Sequence, residues 1–400
     1  MNRRSGGKWL IAAWLLLAGL ASCGEAQSPF AAADEAAIPP GLRESRRGTY
    51  AVSLAPAGTL HLDRPPATFV AHRATEAEIA LALGREDGLL AMFDRDFLLD
   101  SQRMYYEQIP GFAPDLEGVT DLQNVEGVDK ERLYEVGAEI HLVDPRMPVA
   151  WWGWSPGDVA EIAENVGPFF GNFIRLSDRW GPPYPLVTLD ELFAKYAKLF
   201  QEEARYRALA AFRDALVERV QAQLPPPKRR PRVCFISMAS DPARGQFYIL
   251  DMDQGGSWTQ HYRELGLAQA ELPASAAGDR GGLAGYETLL ATDPEVIVVE
   301  WATTLCDGPE DFERRIVAPL AEHPLGARLQ AVRHGRVLPG GSGDQGPITH
   351  LFQLEMMAKQ LFPKRFGDWR WGGETDQPLF DRGELGRVLT SSAAEAADGR

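Results

Sequence analysis

The chain switches repeatedly between two hydrophobic periods. Residues 67–71 and 88–93 are short apolar runs of the kind that buried strands make. Between them, residues 75–83 carry apolar positions at helical spacing and stop at Gly84. The same order recurs with a helix near 130–136, a strand at 139–143 and a helix at 156–165. Thr188, with Glu191 three positions on, has the spacing of a capping box and opens another helical stretch. The longest helical pattern runs from about 203 to 224, with Tyr206, Leu209, Phe212, Leu216 and Val220 spaced by three or four, and Pro225, Pro226 and Pro227 end it. At about 1.5 Å per residue it extends roughly 33 Å, enough to cross from one small domain to another. Strands at 232–238, 247–250 and 336–338 and helices near 259–265 and 348–361 continue the series, which is the pattern of an α/β layer. Beyond Phe366 no period is usable.

One segment of this series occurs twice. Residues 128–144 and 284–300 align without a gap at an offset of 156 (287 − 131), matching Glu131 with Glu287, Leu133 with Leu289, Glu139 with Glu295 and Val143 with Val299. Each copy reads as a short helix, a break at Gly137 or at Asp293-Pro294, and an apolar run ending on Asp144 or Glu300. A helix feeding a strand that is apolar throughout is the signature of a parallel sheet covered on both faces. Two copies predict two similar lobes.

The amino terminus reads as an address. Arg3, Arg4 and Lys8 precede an uncharged run, residues 9–20, that is shorter than the roughly 20 residues a membrane span needs. The sequence Leu20-Ala21-Ser22-Cys23 resembles a bacterial lipobox, which implies cleavage before Cys23 and lipidation of that residue; the alternative is an ordinary secretory cut beside an incidental cysteine. Loss of residues 1–22 removes three cations and no acid, taking the formal charge from −15 to −18. Such an acidic chain argues against nucleic acid or an anionic membrane surface as a partner, so membrane attachment is expected only through the lipid. Cys234 and Cys306 remain, either paired or as buried free thiols. About 375 residues exceed one ordinary core and predict two domains.

Taken in order, these parts resemble the substrate-binding lipoproteins of ABC importers for iron-siderophores, haem and cobalamin. The residues that carry the resemblance are the run 67–78 followed by Leu83-Gly84, the two glutamate-bearing repeats, the long helix, the run Ala331-Val-Arg-His-Gly-Arg-Val-Leu338, the run 345–355, and Lys359-Gln-Leu-Phe-Pro363. The resemblance implies two Rossmann-like α/β lobes with mostly parallel sheets, joined by a single long helix, with a ligand cleft between the lobes. The resemblance covers about residues 60–366, as lobes at 60–202 and 228–366 with a linker at 203–227; before it the pattern gives a signal peptide at 1–22 and a flexible tether at 23–59, rich in Ala, Pro, Gly, Ser and charge, and after it a tail at 367–400. It also implies a monomer that works with an ABC permease dimer and its ATPase, and in such proteins each lobe offers one exposed acid to a permease arginine. Glu131 and Glu287 hold those positions. The alternative for both is complementing a helix dipole.

Ligands of parallel sheets lie beyond the carboxyl ends of the strands. On the first lobe those ends lead into His72 and Arg73, Asp94 and Arg95, and Asp144, Arg146, Trp151, Trp152 and Trp154. Arg73, Arg95 and Arg146 suit an anionic chelate, unless they pair with Asp94, Asp96 or Asp144 at the surface. The tryptophans offer broad apolar faces to a bulky ligand, or pack a core. On the second lobe Tyr248, Trp258 after Gly255-Gly256-Ser257, Trp301 and the loop 340–346 complete the predicted wall. That loop lacks the Lys-Ser/Thr of a phosphate-binding loop.

The ligand implied is a ferric siderophore or a similar small-molecule metal chelate, with haem and cobalamin as alternatives and no resident cofactor. The seven histidines are scattered, with no His-rich loop for a bare metal ion. His72 and His350 are the candidates for touching haem iron, against satisfied polar histidines. The chain has no Gly-x-Ser-x-Gly elbow and no His-Glu-x-x-His, so neither an enzyme nor a purely structural lipoprotein is the leading reading.

Overall fold

The computed structural model describes residues 50–93, 95, 103–124, 127–128, 130–172, 187–250, 259–270, 283–341, 345–373 and 375–391. They form two compact units. The amino-terminal unit holds described residues 50–214, 345–349 and 381–391, and the carboxy-terminal unit holds 215–341 and 350–380.

The amino-terminal unit opens with an antiparallel hairpin, β1 (Tyr50–Leu54) and β2 (Gly58–Leu62). The sequence pattern predicts a tether reaching residue 59, but Val52 and Leu54 alternate with Ser53 and bury their side chains, so ordered structure begins earlier. Its main sheet has the order β5 (Thr120–Asp121), β4 (Leu89–Met92), β3 (Phe69–Ala71), β8 (Ile140–Leu142), and every pairing in it is parallel. All residues of β3 and β8 are buried, as the continuous apolar runs require. Between β5 and β8, β6 (Gln123–Asn124) and β7 (Gly127–Val128) form a small antiparallel pair.

The helices of this unit are α1 (Ala74–Ala82), α2 (Lys130–Val136), α3 (Met147–Trp151), α4 (Pro156–Asn165) and α5 (Leu189–Phe200). The predicted capping box opens α5: Thr188 Oγ1 accepts from Glu191 N, and Glu191 Oε2 accepts from Thr188 N at 2.7 Å. Then α6 (Glu203–Gln223) runs unbroken for 21 residues, its residues to Asp214 belonging to one unit and those from Ala215 to the other. Leu209, Leu216 and Val220 are its buried positions.

The carboxy-terminal sheet is mixed. Strands β9 (Arg232–Ser237), β13 (Val296–Glu300) and β14 (Val337–Pro339) are parallel, and the short β11 (Ala268–Gln269) pairs parallel with β9. Beside them, β10 (Phe247–Leu250) returns antiparallel to β9, and β12 (Leu283–Ala284) pairs antiparallel with β10. A tight connection through Asp241 and the left-handed Gly245 leaves no room for a crossover helix between β9 and β10. The helices that concern the site are α7 (Gln260–Glu264), α8 (Tyr286–Thr292), α9 (Ala302–Leu305) and α10 (Pro347–Leu361).

The sequence repeat is a structural repeat. Both α2 and α8 are seven residues long and sit at matching positions. Both helices are followed by a residue in the left-handed region, Gly137 at φ 60° and Asp293 at φ 34°. The matched Leu133 and Leu289 are both buried beneath them. Glu139 and Glu295, just before the strands, each pair with an arginine, Arg64 at 2.8 Å and Arg232 at 3.8 Å.

Beyond Phe366, where the sequence shows no usable period, the described residues reach Ser391. Lys359, fully buried, donates to Thr375 Oγ1 and Gln377 O at 2.6 Å, and Glu355 accepts from Leu379 N at 2.9 Å. A last helix, α11 (Arg382–Thr390), is capped by Asp381 and buries Leu385 and Leu389 in the amino-terminal unit. Cys234 and Cys306 are free and buried, and burial pushes their thiols up to about 12 and about 11.

Candidate functional site

In the amino-terminal unit three adjacent strands deliver aromatic rings at their carboxyl ends. His72 follows β3 and its backbone N–H donates to Leu142 O of β8 at 3.3 Å; Phe93 follows β4 and donates to Ala71 O of β3 at 3.2 Å. Trp152 follows α3, which β8 feeds. The His72 ring centroid lies 5.5 Å from Phe93 and 5.3 Å from Trp152, and Phe93 and Trp152 are nearly parallel, 18° apart at 6.1 Å. Trp154 meets Trp152 edge-on at 5.2 Å and is buried, with its indole N–H donating to Val128 O at 3.1 Å. The amides of Trp152 and Trp154 both donate to Pro148 O, a doubling back that needs the left-handed φ of 72° at Gly153 between them.

Of the predicted tryptophans, Trp152 is therefore half-buried at the edge of this cluster and Trp154 packs beneath it. The side chain of Trp151 and the whole of Asp94 lie outside the described residues. Phe93 is the member that sequence reasoning missed, because it reads as the last residue of an apolar strand.

The arginines are engaged by the protein. Arg146 pairs with Asp144 at 3.4 Å, and its backbone N–H also donates to Asp144 Oδ1 at 2.9 Å, with the Asp144 side chain wholly buried. Arg95 donates to Val119 O at 3.0 Å. Arg73 precedes α1 and its amide donates to Glu76 Oε2 at 3.1 Å. His72 is buried and held neutral, well below the usual range, first by desolvation and then by Arg73.

In the carboxy-terminal unit the strand ends carry a buried polar layer. Glu300, the repeat partner of Asp144, is fully buried and accepts the Tyr262 hydroxyl hydrogen bond, and desolvation, then this acid, holds the phenol protonated. A Cβ at Gly340 would lie 3.0 Å from Glu300 Oε1, and one at Gly341 2.4 Å from the Gln353 side chain, so two glycines let the loop close over these groups. His350 Nε2 meets Glu264 Oε2 at 2.8 Å, and the His261 ring lies tilted against Tyr262 with centroids 3.8 Å apart. His72 and His350, the two predicted iron contacts, are thus both interior.

Trp301 takes the left-handed conformation, φ 64°, with its amide donating to Gly341 O at 2.7 Å and its half-buried ring against the core. Tyr248 sits half-buried on β10, its amide bonded to Ser240 Oγ. Trp258, residues 255–257 and 342–344, and Cys23 lie outside the described residues.

Glu131 and Glu287 are exposed in the first turns of α2 and α8. A Cβ at Gly285 would come within 2.8 Å of Glu287 Oε2, so that carboxylate curls towards its own helix start. Among the described residues no group of three or more His, Cys, Asp and Glu is placed to hold a metal ion, and no helix is long and apolar enough to cross a membrane.

Residues 177–342 match the family model for a periplasmic binding protein. A periplasmic binding protein of Veillonella parvula superposes with a TM-score of 0.56 at 14% identity, covering 78% of this chain and 97% of that one. Helicobacter pylori CeuE, solved with Ni(II) bound, gives 0.55 at 13% identity over 87% of this chain and 98% of its own. The siderophore-binding protein BauB, solved with ferric iron and two molecules of acinetobactin, gives 0.50 at 17% identity over 81% and 98%. No curated protein matches the chain in sequence. At these identities the structural likeness is one of fold.

Proposed function

Because residues 177–342 match the family model for a periplasmic binding protein, we propose that this chain is the substrate-binding component of an ABC importer that captures a ferric siderophore and delivers it to the permease dimer and its ATPase. The ligand class follows the neighbours, one solved with Ni(II) bound and one with a ferric siderophore. Haem or cobalamin is the second reading, favoured by the bulky aromatic end of the amino-terminal sheet. Export, acylation of Cys23 and action as a monomer belong to the same proposal, resting on the sequence of the first 23 residues and on the family.

The observation that carries this reading is the matched pair Glu131 and Glu287. Two helices of equal length, 156 positions apart (287 − 131), each expose one acid at the same position. Charge-assisted hydrogen bonds from permease arginines to both would fix the register of docking. Replacing both by alanine is expected to lower uptake at least tenfold and leave chelate affinity unchanged, measured by radioiron uptake beside calorimetry of the purified protein. Uptake at the unsubstituted rate would refute docking through these acids and leave them to their helix dipoles. The family's fellow members bind rather than convert, so saturation without turnover is expected for any ligand.

A further inference from the structure

The two copies of the repeat match at their acids and differ around them. After Glu131, α2 carries Arg132, Tyr134 and Glu135, all exposed. The matching positions of α8, 156 further on (290 − 134), hold Thr288, Leu290 and Ala291, with Leu290 partly buried against the core of its own unit. Among the described residues Tyr134 is the one large hydrophobic side chain that stays exposed, at 43%. It lies three positions beyond Glu131, so the ring and the acid share a side of α2.

The ring is held in place from α4. The Tyr134 hydroxyl donates to Glu161 Oε1 at 3.0 Å and accepts from Asn165 Nδ2 at 3.4 Å, and Asn165 Nδ2 also donates to Glu161 O at 3.0 Å. A tyrosine ordered before binding gives up little entropy when a partner covers it, and such rings are frequent anchors of protein interfaces. The charge around it selects the partner. On α2 and α4, Glu131, Glu135, Glu161 and Glu164 are exposed against one exposed base, Arg132, a formal excess of three negative charges (4 − 1). Lys130 and Asp158 neutralise each other at 2.5 Å. A complementary surface is basic, and an arginine beside an apolar recess meets both the acid and the face of the phenol ring. Beside Glu287, α8 offers only small or half-buried side chains at these positions.

Resting on the docking reading above, we propose that Tyr134 anchors the chain to one half of the permease only, its ring entering an apolar recess beside the arginine that meets Glu131. The half that meets Glu287 has no such recess, so the two halves differ and the chain docks in one sense. The test is radioiron uptake by cells that carry each variant of the full chain as their only copy, beside the denaturation midpoint of the purified protein. Uptake is expected to fall about tenfold in Tyr134→Ala and to stay within about twofold in Tyr134→Phe, which keeps the ring and loses the hydroxyl. It should fall as far in the triple variant Arg132→Thr, Tyr134→Leu, Glu135→Ala, which gives α2 the surface of α8 and retains both acids. All three should keep the midpoint of the unsubstituted chain. Photo-crosslinking benzoylphenylalanine in place of Glu135 and, separately, of Ala291 should join the chain to different permease peptides.

Undiminished uptake in Tyr134→Ala or in the triple variant, with uptake lost when Glu131 and Glu287 are both alanine, overturns the anchor and leaves docking through the acids standing. Undiminished uptake in all of these variants overturns both readings together. Equal losses in Tyr134→Ala and Tyr134→Phe, with a lowered midpoint in each, make the side chain a strut between α2 and α4, and the anchor falls. It falls as well if the crosslinker at Glu135 joins two copies of this chain, or if the adducts from Glu135 and Ala291 map to the same permease peptide.

Discussion

A histidine inside a parallel strand shows how far one residue can be read. His141 lies in β8 among apolar neighbours, with its Nδ1 2.9 Å from Gly167 O and its ring stacked on Phe169 at 4.8 Å. The Nδ1–H donates to that carbonyl, and Nε2 has no hydrogen-bond partner among the described residues. Desolvation lowers its pKa from 6.5 to about 4. The folded state thus binds this proton less readily than the unfolded chain, so its contribution is intact above about pH 6.5 and is lost as pH falls towards about 4. The difference amounts to about 3 kcal/mol at the acid end. In urea denaturation from pH 7 to 4, His141→Gln is expected to lose less stability with acid than the unsubstituted chain; parallel curves would contradict the assignment. The candidate site was legible to a similar degree. The positions of Trp152, Arg146 and Trp301 after strands could be read from sequence, because strand ends are visible there. Which of them a neighbour had already engaged, as Asp144 engages Arg146, was not, because such pairing depends on local geometry.

At the level of elements, periodicity carried well where a helix had a marked beginning and end. The limits of α2, α4 and β10 are those the pattern predicts, and α6 differs by one residue at its end. The direction of β10 was not legible, since alternation along a strand is blind to its partner's sense. Nor was α11, whose buried face is little more than Leu385 and Leu389. The repeat gives a sharper test. Gly137 and Asp293 solve one problem, a left-handed residue between helix and strand, by different means: glycine removes the Cβ, while Asp293 Oδ1 accepts from Gln330 N at 3.0 Å. A Cβ at Gly137 would meet only Tyr134 O, at 3.8 Å, so alanine there strains φ without a clash. Gly137→Ala should therefore cost about 1–2 kcal/mol, all of it conformational. In chemical denaturation an unaffected midpoint would show that the turn relaxes freely.

For the whole molecule, position in the chain is a poor guide to membership of a unit. The amino-terminal unit includes α11 from the far end of the sequence. Within that unit Gly386 approaches Pro110 O so closely that a Cβ would lie 2.1 Å away, and Arg205 donates to Leu389 O at 3.0 Å. Leu385 and Leu389 are buried there. Ending the chain at Phe380 removes these contacts and leaves Lys359, Glu355 and the segment they hold untouched. Exposing the surface under two buried leucines costs about 3 kcal/mol or more, and a cooperative unit loses that stability throughout. Hydrogen exchange should then accelerate in β3 and β8 while β9 and β13 keep their protection. Faster exchange confined to β9 and β13, or none anywhere, would mean that α11 does not stabilise the unit into which it folds.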